Sequence, residues 1–166
     1  VYSFEPEPET YAILRKNIEL NKIYNISTYN IALGAVKDKT IIYSDIDKNK
    51  GEASLIKGQS KNPQKESEIL VETLDGFATT TKISNIRMIK IDVQGWELEV
   101  LKGAYNIFKR SDAPIICLEY SNSHHIQKGE LIDIYHYILT INNYEIFKLI
   151  KGKGRPSKLV KIASAN

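Results

Sequence analysis

The segment 87–108 constrains the fold more than any other part of the sequence. Residues 87–93 cluster apolar and β-prone side chains over the length of a strand. Gly95 follows, and apolar residues from Leu98 to Phe108 then recur at helical spacing. A buried strand that leads through a glycine into a helix is typical of open α/β sheets, which bind ligands at such junctions. Asp92 lies at this junction, so we predict that it faces a functional crevice.

Length, composition and charge indicate a single globular domain covering residues 1–166. The chain is long enough for one substantial core, and its 42% hydrophobic and 26% charged residues are ordinary values. A net charge of +3 is too small to indicate nucleic-acid binding. No apolar run reaches the roughly 18–20 residues that span a bilayer. We therefore expect a cytoplasmic domain with neither a nucleic acid nor a membrane as partner.

Strands and helices alternate along the sequence. Strands are predicted at 1–4, 26–33, 40–43, 69–74, 87–93, 114–120, 144–150 and 159–163, and helices at 8–21, from Gly95 to about 110, and at 131–139. This alternation favours an α/β fold with a mostly parallel sheet covered on both faces. The last two strands should pair antiparallel, because the segment between them has no helix. The polar segment 45–67 is predicted to be a surface loop.

The first carboxylate of interest is Glu5, which follows the strand predicted at 1–4. In nucleoside-binding sheets, an acid at such a strand end accepts hydrogen bonds from both ribose hydroxyls. The alternative is a solvated strand-end acid. The glycine-rich turn that usually accompanies the ribose ligand would lie before Val1. Because natural chains rarely begin inside a core strand, we expect an N-terminal portion to be missing from this sequence.

Three further places carry candidate site residues. The end of the second predicted strand, Asn30, Ile31, Ala32 and Leu33, would border an adenine ring in such a fold, and the alternative for Ile31 and Leu33 is core packing. Asp92 either accepts a proton from a substrate hydroxyl or caps the following helix. Glu119 ends a buried strand and needs a partner there, in function or in structure.

The histidines do not indicate a metal site. His124, His125 and His136 fit no tight ligand spacing, and there is no companion cysteine pair. A solvated loop is the favoured interpretation of the His124-His125 pair, and no metal is predicted.

Several short motifs, in order and sensibly spaced, resemble the FkbM-type methyltransferases. They are Tyr2-Ser3-Phe4-Glu5-Pro6, Asn17 with Leu20-Asn21, Ala32-Leu33-Gly34, Thr73-Leu74-Asp75, Lys90-Ile91-Asp92-Val93-Gln94-Gly95-Trp96-Glu97 and Leu101-Lys102-Gly103-Ala104. The resemblance runs from Val1 to about Tyr120. It implies a Rossmann-like class I methyltransferase sheet with a C-terminal antiparallel hairpin. It also implies S-adenosylmethionine as the methyl donor and O-methylation of a hydroxyl on a sugar, polyketide or similar metabolite.

The resemblance also assigns roles to the candidate residues. Glu5 resembles the ribose ligand, and residues 30–33 would line the adenine pocket. Asp92 would lie beside the transferring methyl group, as part of the cofactor site and as the catalytic base, with Glu119 as the second candidate base. Residues 53–55 fall in the variable hairpin loop that would cover the substrate.

Two departures from the family pattern qualify these implications. The family usually has Glu at the position of Gln94. Its first strand, glycine-rich loop and following helix, the N-terminal βα unit, are not found before Val1. A chain without them would bind the cofactor poorly and expose a sheet edge that promotes self-association.

Two functional hypotheses follow. The first is an S-adenosylmethionine-dependent O-methyltransferase acting on a hydroxyl of a sugar, glycan or small metabolite. The alternative is a non-catalytic, methyltransferase-like module that binds a partner. A nicotinamide-dependent oxidoreductase shares the strand-end acid, but it explains neither the segment 87–104 nor the terminal hairpin.

Overall fold

The computed structural model describes residues 1–44, 55, 65–118, 128–150 and 156–162. Within these ranges the strands are β1 (Tyr2–Phe4), β2 (Ser27–Tyr29), β3 (Ala32–Leu33), β4 (Asp38–Ser44), β5 (Lys65–Glu72), β6 (Met88–Ile91), β7 (Ile115–Leu118), β8 (Phe147–Ile150) and β9 (Lys158–Lys161). The helices are α1 (Pro8–Leu20), α2 (Leu74–Thr80), α3 (Glu97–Lys102), α4 (Tyr105–Phe108) and α5 (Lys128–Ile141). The predicted alternation of strands and helices is confirmed.

The strands hydrogen-bond in four groups. The pairs β1–β2, β3–β5 and β6–β7 are parallel, whereas β4–β5 and β8–β9 are antiparallel. The C-terminal antiparallel hairpin is therefore confirmed, and the sheets are partly parallel, where the sequence predicted a mostly parallel sheet. In the part of the chain that the structure describes, the four groups are not joined into one hydrogen-bonded sheet. The continuous Rossmann-like order stays a prediction.

The first strand and helix follow their sequence signals closely. Pro8 occupies the first turn of α1, where its missing N–H costs nothing. Glu7 is the N-cap residue, and its Oε2 accepts a hydrogen bond of 2.6 Å from the backbone N–H of Thr10. This cap and the acid Glu9 in the first turn explain why the helix begins here.

The strand predicted at 26–33 is wrong as a single element. It consists of β2 and β3, which pair with different partners. Between them the side-chain amide of Asn30 donates to the carbonyl oxygens of Glu5 and Pro6, at 2.8 and 3.0 Å. These bonds tie the end of β2 to the end of β1, and the chain then leaves the first pair for the second.

Two other predicted boundaries change. The strand predicted at 69–74 runs instead from Lys65 to Glu72, and Thr73 caps the unpredicted helix α2 by accepting from the N–H of Gly76 at 3.0 Å. The single helix predicted after Gly95 is divided into α3 and α4, with Gly103 and Ala104 between them. None of the described helices combines the length and apolar character needed to cross a bilayer.

The buried apolar side chains form two clusters. The larger one joins α2, β6, α3, α4 and α5, and Leu101 and Phe108 at its centre are 0% exposed. The smaller one consists of Ala32, Ile42, Ile69 and Val71, with Leu55 packed against it. The larger cluster supports the junction after β6, where the central candidate residues lie.

Candidate functional site

Glu5 lies directly after β1 and is oriented by the backbone. Its N–H continues the strand pairing to the carbonyl of Tyr29 at 3.0 Å. Its Oε1 accepts a hydrogen bond of 2.9 Å from the N–H of Glu7. Within the described part of the chain, Oε2 has no hydrogen-bond partner. One oxygen is thus fixed, and the other can accept a bond from a ligand.

Burial raises the pKa of Glu5 above its ordinary value. The hydrogen bond from the Glu7 N–H opposes this rise, and the negative charge of Glu7 adds to it. The ionised form of this half-buried carboxylate is therefore less stable in the folded protein than it is in water. A ligand that donates hydrogen bonds to it would relieve that cost.

The four residues predicted to line an adenine pocket have different environments. Asn30 uses its amide to hold Glu5 and Pro6. Ala32 is buried in the smaller cluster, whereas Ile31 and Leu33 are half-buried and pack against the larger one. Ile31 and Leu33 therefore make packing contacts and keep part of their surface accessible, and adenine binding stays a prediction.

Ile31 also lines an open cleft of about 370 Å³ on the side of β4 and β5. Leu70, Val71 and the ion pair of Lys37 with Glu72 line this cleft too. Glu5 and Asp92 do not border this cleft, so among the predicted site residues it is Ile31 that connects the cleft to the predicted adenine pocket.

Asp92 follows β6 within a group of three polar side chains. Its Oδ2 lies 2.7 Å from Nζ of Lys90, and its Oδ1 accepts a hydrogen bond of 3.2 Å from Nε2 of Gln94. The side chain is 32% exposed, so it is anchored but still accessible. The capping alternative is wrong, because α3 begins only at Glu97 and its N-cap residue is Trp96.

The chain turns sharply after Asp92. Gln94 and Gly95 have φ of 53° and 95°, and the Trp96 N–H reaches the Val93 carbonyl at 3.4 Å. Glu97 is only 4% exposed, and its Oε1 accepts a hydrogen bond of 3.2 Å from the N–H of Gly95. The sequence does not predict this burial, because interaction with the helix dipole is a sufficient reason for an acid in the first helical turn.

Trp96 connects this turn to the end of β3. A Cβ placed on Gly34 would lie 3.3 Å from Nε1 of Trp96 and 2.7 Å from Cγ1 of Val71. A Cβ on Gly103 would lie 1.9 Å from the carbonyl oxygen of Gly34. The two glycine motifs of the sequence therefore meet, and their tight packing brings residue 33 and the turn after Asp92 into one region.

The Thr73-Leu74-Asp75 motif is architectural. Both carboxylate oxygens of Asp75 accept bonds from the first turn of α4: the N–H and Nδ2 of Asn106 at 2.8 and 3.0 Å, and the N–H of Ile107 at 3.0 Å. Leu74 is buried in the larger cluster. The motif thus fixes α4 against α2.

Comparison with known proteins decides the family. A model of the methyltransferase FkbM domain matches residues 1–146. The chain belongs to the FkbM methyltransferase family. The resemblance found in the sequence motifs is confirmed.

Two family relatives are longer than this chain, and the chain covers only part of each of them. It is 23% identical over 124 residues to "Methyltransferase 1" of Beauveria bassiana (strain ARSEF 2860), covering 62% of this chain and 48% of that protein. The crystal structure of methyltransferase FkbM from Methylobacillus flagellatus KT superposes with a TM-score of 0.58 at 20% identity, over 90% of this chain and 32% of that one. The second match shows a shared fold. The chain spans about half the length of the fungal relative.

Several predicted residues of this FkbM domain lie outside the described residues. Among them are Glu119, His124 and His125, together with most of the segment 45–67. His136 is exposed on α5. In the ranges that the structure does describe, no three His, Cys, Asp or Glu side chains are grouped closely enough to hold a metal ion.

Proposed function

We propose that this FkbM domain belongs to an S-adenosylmethionine-dependent methyltransferase that methylates a hydroxyl of a sugar, glycan or small metabolite. The observation that carries the proposal is Glu5, a half-buried carboxylate after a parallel strand with one oxygen fixed by the backbone. The hydrogen-bonded strand groups would then belong to one sheet of the class I methyltransferase type.

The residues around Glu5 suit the nucleoside part of S-adenosylmethionine. A ribose hydroxyl can donate to Glu5 Oε2 and so compensate the desolvated carboxylate. Asn30 holds the backbone on which Glu5 lies. The half-buried Ile31 and Leu33 offer apolar surface to an adenine, and the buried Ala32 anchors the segment between them. When bound, S-adenosylmethionine supplies an electrophilic methyl group.

Methyl transfer to a hydroxyl requires two contributions from the protein, a base that accepts the hydroxyl proton and the alignment of donor and acceptor. Asp92 accepts the proton of the substrate hydroxyl as its oxygen attacks, and Glu119 is the second candidate for this role. Lys90 and Gln94 hold the Asp92 carboxylate in one orientation. Holding donor and acceptor in line accounts for much of the rate enhancement that such a site can provide.

Isothermal titration calorimetry of the full-length protein with S-adenosylmethionine tests the first part, and the wild type and variants below are full-length. We expect binding to the wild type and at least a tenfold weaker association for Glu5→Gln, because an amide nitrogen in place of an oxygen loses the second acceptor. Glu19→Gln is the matched control, since it removes the same charge from an exposed side chain of α1. A folded wild type that binds no S-adenosylmethionine at millimolar concentration contradicts the proposal.

Transfer of a radiolabelled methyl group to a panel of sugars and hydroxylated metabolites tests the second part. Asp92→Asn should still bind S-adenosylmethionine but lose roughly 100-fold or more in transfer rate. The second hypothesis, a binding module without catalysis, is favoured by the neutral Gln94 beside Asp92. Cofactor binding by the wild type without transfer to any acceptor of the panel would support that hypothesis instead.

A further inference from the structure

The turn between β6 and α3 is conformationally unusual. Its two central residues, Gln94 and Gly95, both have positive φ, and a bond from the Trp96 N–H to the Val93 carbonyl closes it. Positive φ at both central positions is the signature of a type I′ turn, for which Asn-Gly and Gly-Gly are preferred. A long side chain such as Gln is costly in this conformation. Residues held in sparsely populated backbone conformations cluster at functional sites.

The strained residue contacts the proposed base. From its left-handed position Gln94 donates through Nε2 to Oδ1 of Asp92 at 3.2 Å. A change of φ at Gln94 would swing this amide away from Asp92. The orientation of Asp92 is therefore coupled to the geometry of the turn.

Glu97 is the group that holds the turn from the helix side. Its Oε1 accepts from the N–H of Gly95, and the residue is 4% exposed. An acid buried to this extent is expensive, and within the described residues its Oε2 has no hydrogen-bond partner. Favourable interaction with the helix dipole does not require burial, because the half-buried Glu99 is in the same first turn. The buried acid therefore needs a reason beyond helix formation.

We propose that Glu97 is a positioning residue that clamps the left-handed turn at Gln94 and Gly95 and thereby orients Asp92. The catalytic consequence rests on the proposed methyl transfer, whereas the clamp itself does not. Glu97 touches neither substrate nor cofactor in this scheme. It acts only through the backbone N–H of Gly95 and the side chain of Gln94.

Amide hydrogen exchange and the HN–Hα coupling of Gln94, measured by NMR, test the clamp without any assay of activity. In Glu97→Ala we expect the Gly95 amide to lose its protection and the coupling at Gln94 to change. Glu97→Gln keeps an acceptor oxygen for Gly95 and should restore both signals. Glu99→Ala is the matched control, since it removes an acid from the same turn of α3 that pairs with the side chain of Lys102 and not with the Gly95 N–H. Unchanged Gly95 protection and Gln94 coupling in Glu97→Ala would overturn the proposal.

A second variant covers the case in which Glu97→Ala folds poorly. Gln94→Gly removes the strain that the clamp opposes, because glycine adopts positive φ freely. The Tm loss caused by Glu97→Ala should therefore be smaller in the Gln94→Gly background than in the wild type. An equal loss in the two backgrounds would contradict the clamp.

Transfer assays then test the catalytic consequence. With an acceptor that the wild type methylates, Glu97→Ala should lower kcat about tenfold or more while its affinity for S-adenosylmethionine stays within about twofold. Glu97→Gln should recover most of kcat. A fall in cofactor affinity with unchanged kcat would overturn the positioning role. If the turn responds as expected but the wild type transfers no methyl group, the proposed function fails and the clamp stands.

Discussion

Glu5 illustrates a conflict between stability and binding at a single residue. Because burial raises its pKa, the folded protein binds the proton of Glu5 more tightly than the unfolded chain does. Stability must therefore fall as pH rises from the ordinary value of 4.5 through the raised folded value. The ionised side chain is destabilising at neutral pH, which is reasonable for a group kept for a ligand.

Glu5→Gln removes this cost while it keeps an acceptor for the Glu7 N–H. We expect its free energy of unfolding at pH 7 to exceed that of the wild type by up to about 1 kcal/mol, a modest figure because the site is partly solvated. The advantage should shrink as the pH is lowered and vanish below about pH 4, where Glu5 is protonated in both states. Urea unfolding at pH 4 and pH 7 measures the difference. A variant less stable than the wild type at pH 7 would contradict the expectation.

Gln94 presents the same conflict in its backbone. Gln94→Asn creates the Asn-Gly pair that type I′ turns prefer, and should raise the free energy of unfolding by about 0.5 kcal/mol. The shorter side chain withdraws its amide from Asp92, so the transfer rate should fall. Thermal unfolding and a transfer assay on the same preparation measure the two effects. A variant that gains stability and keeps the full rate would show that the Gln94 amide does not serve Asp92.

The sequence predicts some features of the candidate site residues and not others. Asp92 and Glu5 can be predicted as candidates from the sequence alone, because each is a carboxylate that directly follows an apolar run of strand length. The burial of Glu97 cannot be predicted from the sequence, since interaction with the helix dipole already accounts for an acid in the first helical turn. The contact of Trp96 with Gly34 depends on the approach of two segments that are distant in sequence.

At the scale of elements, the break between α3 and α4 is a packing requirement. Gly103 lies so close to β3 that a Cβ would stand 1.9 Å from the carbonyl oxygen of Gly34. Its own carbonyl accepts from the N–H of Asp75 at 3.0 Å. Gly103 therefore packs at the end of α3 against the residue that follows β3 and is hydrogen-bonded to α2. Its backbone cannot shift without breaking one of these contacts.

Gly103→Ala should lower the free energy of unfolding by more than about 3 kcal/mol, because the clash is with backbone and no side-chain rotation relieves it. Gly76→Ala in α2 is the matched control. The nearest atoms to a Cβ there are side-chain atoms, the capping Oγ1 of Thr73 at 2.8 Å and Oε1 of Glu72 at 3.1 Å, which can shift. Because weakening of the Thr73 cap is partly offset by the helix preference of alanine, the loss should stay within about 2 kcal/mol. Denaturant unfolding of the two variants distinguishes them. Equal losses would mean that the contact with Gly34 is not the cause.

Element prediction succeeds where local signals suffice. The proline and acids at residues 7–9 define the start of α1, and the lack of a predicted helix between the last two strands indicates the β8–β9 hairpin. Helix α2 is missed because its sequence, with Gly76 and successive threonines, has low helix propensity. It forms because Thr73 caps it and because Leu74, Phe77 and Ala78 are buried. The sequence does not predict the division of 26–33 into two strands, because it depends on hydrogen bonds from the Asn30 amide to the carbonyl groups of Glu5 and Pro6, which are distant in sequence.

At the scale of the whole molecule, the two apolar clusters divide the stability of the fold. The larger cluster holds the junction with Asp92 and Glu97, and the smaller one holds β4 and β5 together. The region around Gly34, Val71 and Trp96 connects them. A small apolar cluster stabilises its strands less than a large one, so we infer that the β4–β5 pair opens at lower free energy than β6 and α3.

Native-state hydrogen exchange of two matched variants tests this division. Ile42 in the smaller cluster and Ile91 in the larger one are each 2% exposed, so Ile42→Ala and Ile91→Ala make the same change at equal burial. Each should cost about 2–4 kcal/mol locally. Ile42→Ala should reduce amide protection in β4 and β5 and leave β6 and α3 largely protected. Ile91→Ala should reduce protection throughout, because opening of the larger cluster also removes the support of Gly34 against Gly103. Uniform loss of protection in Ile42→Ala would instead show that both clusters unfold as one cooperative unit.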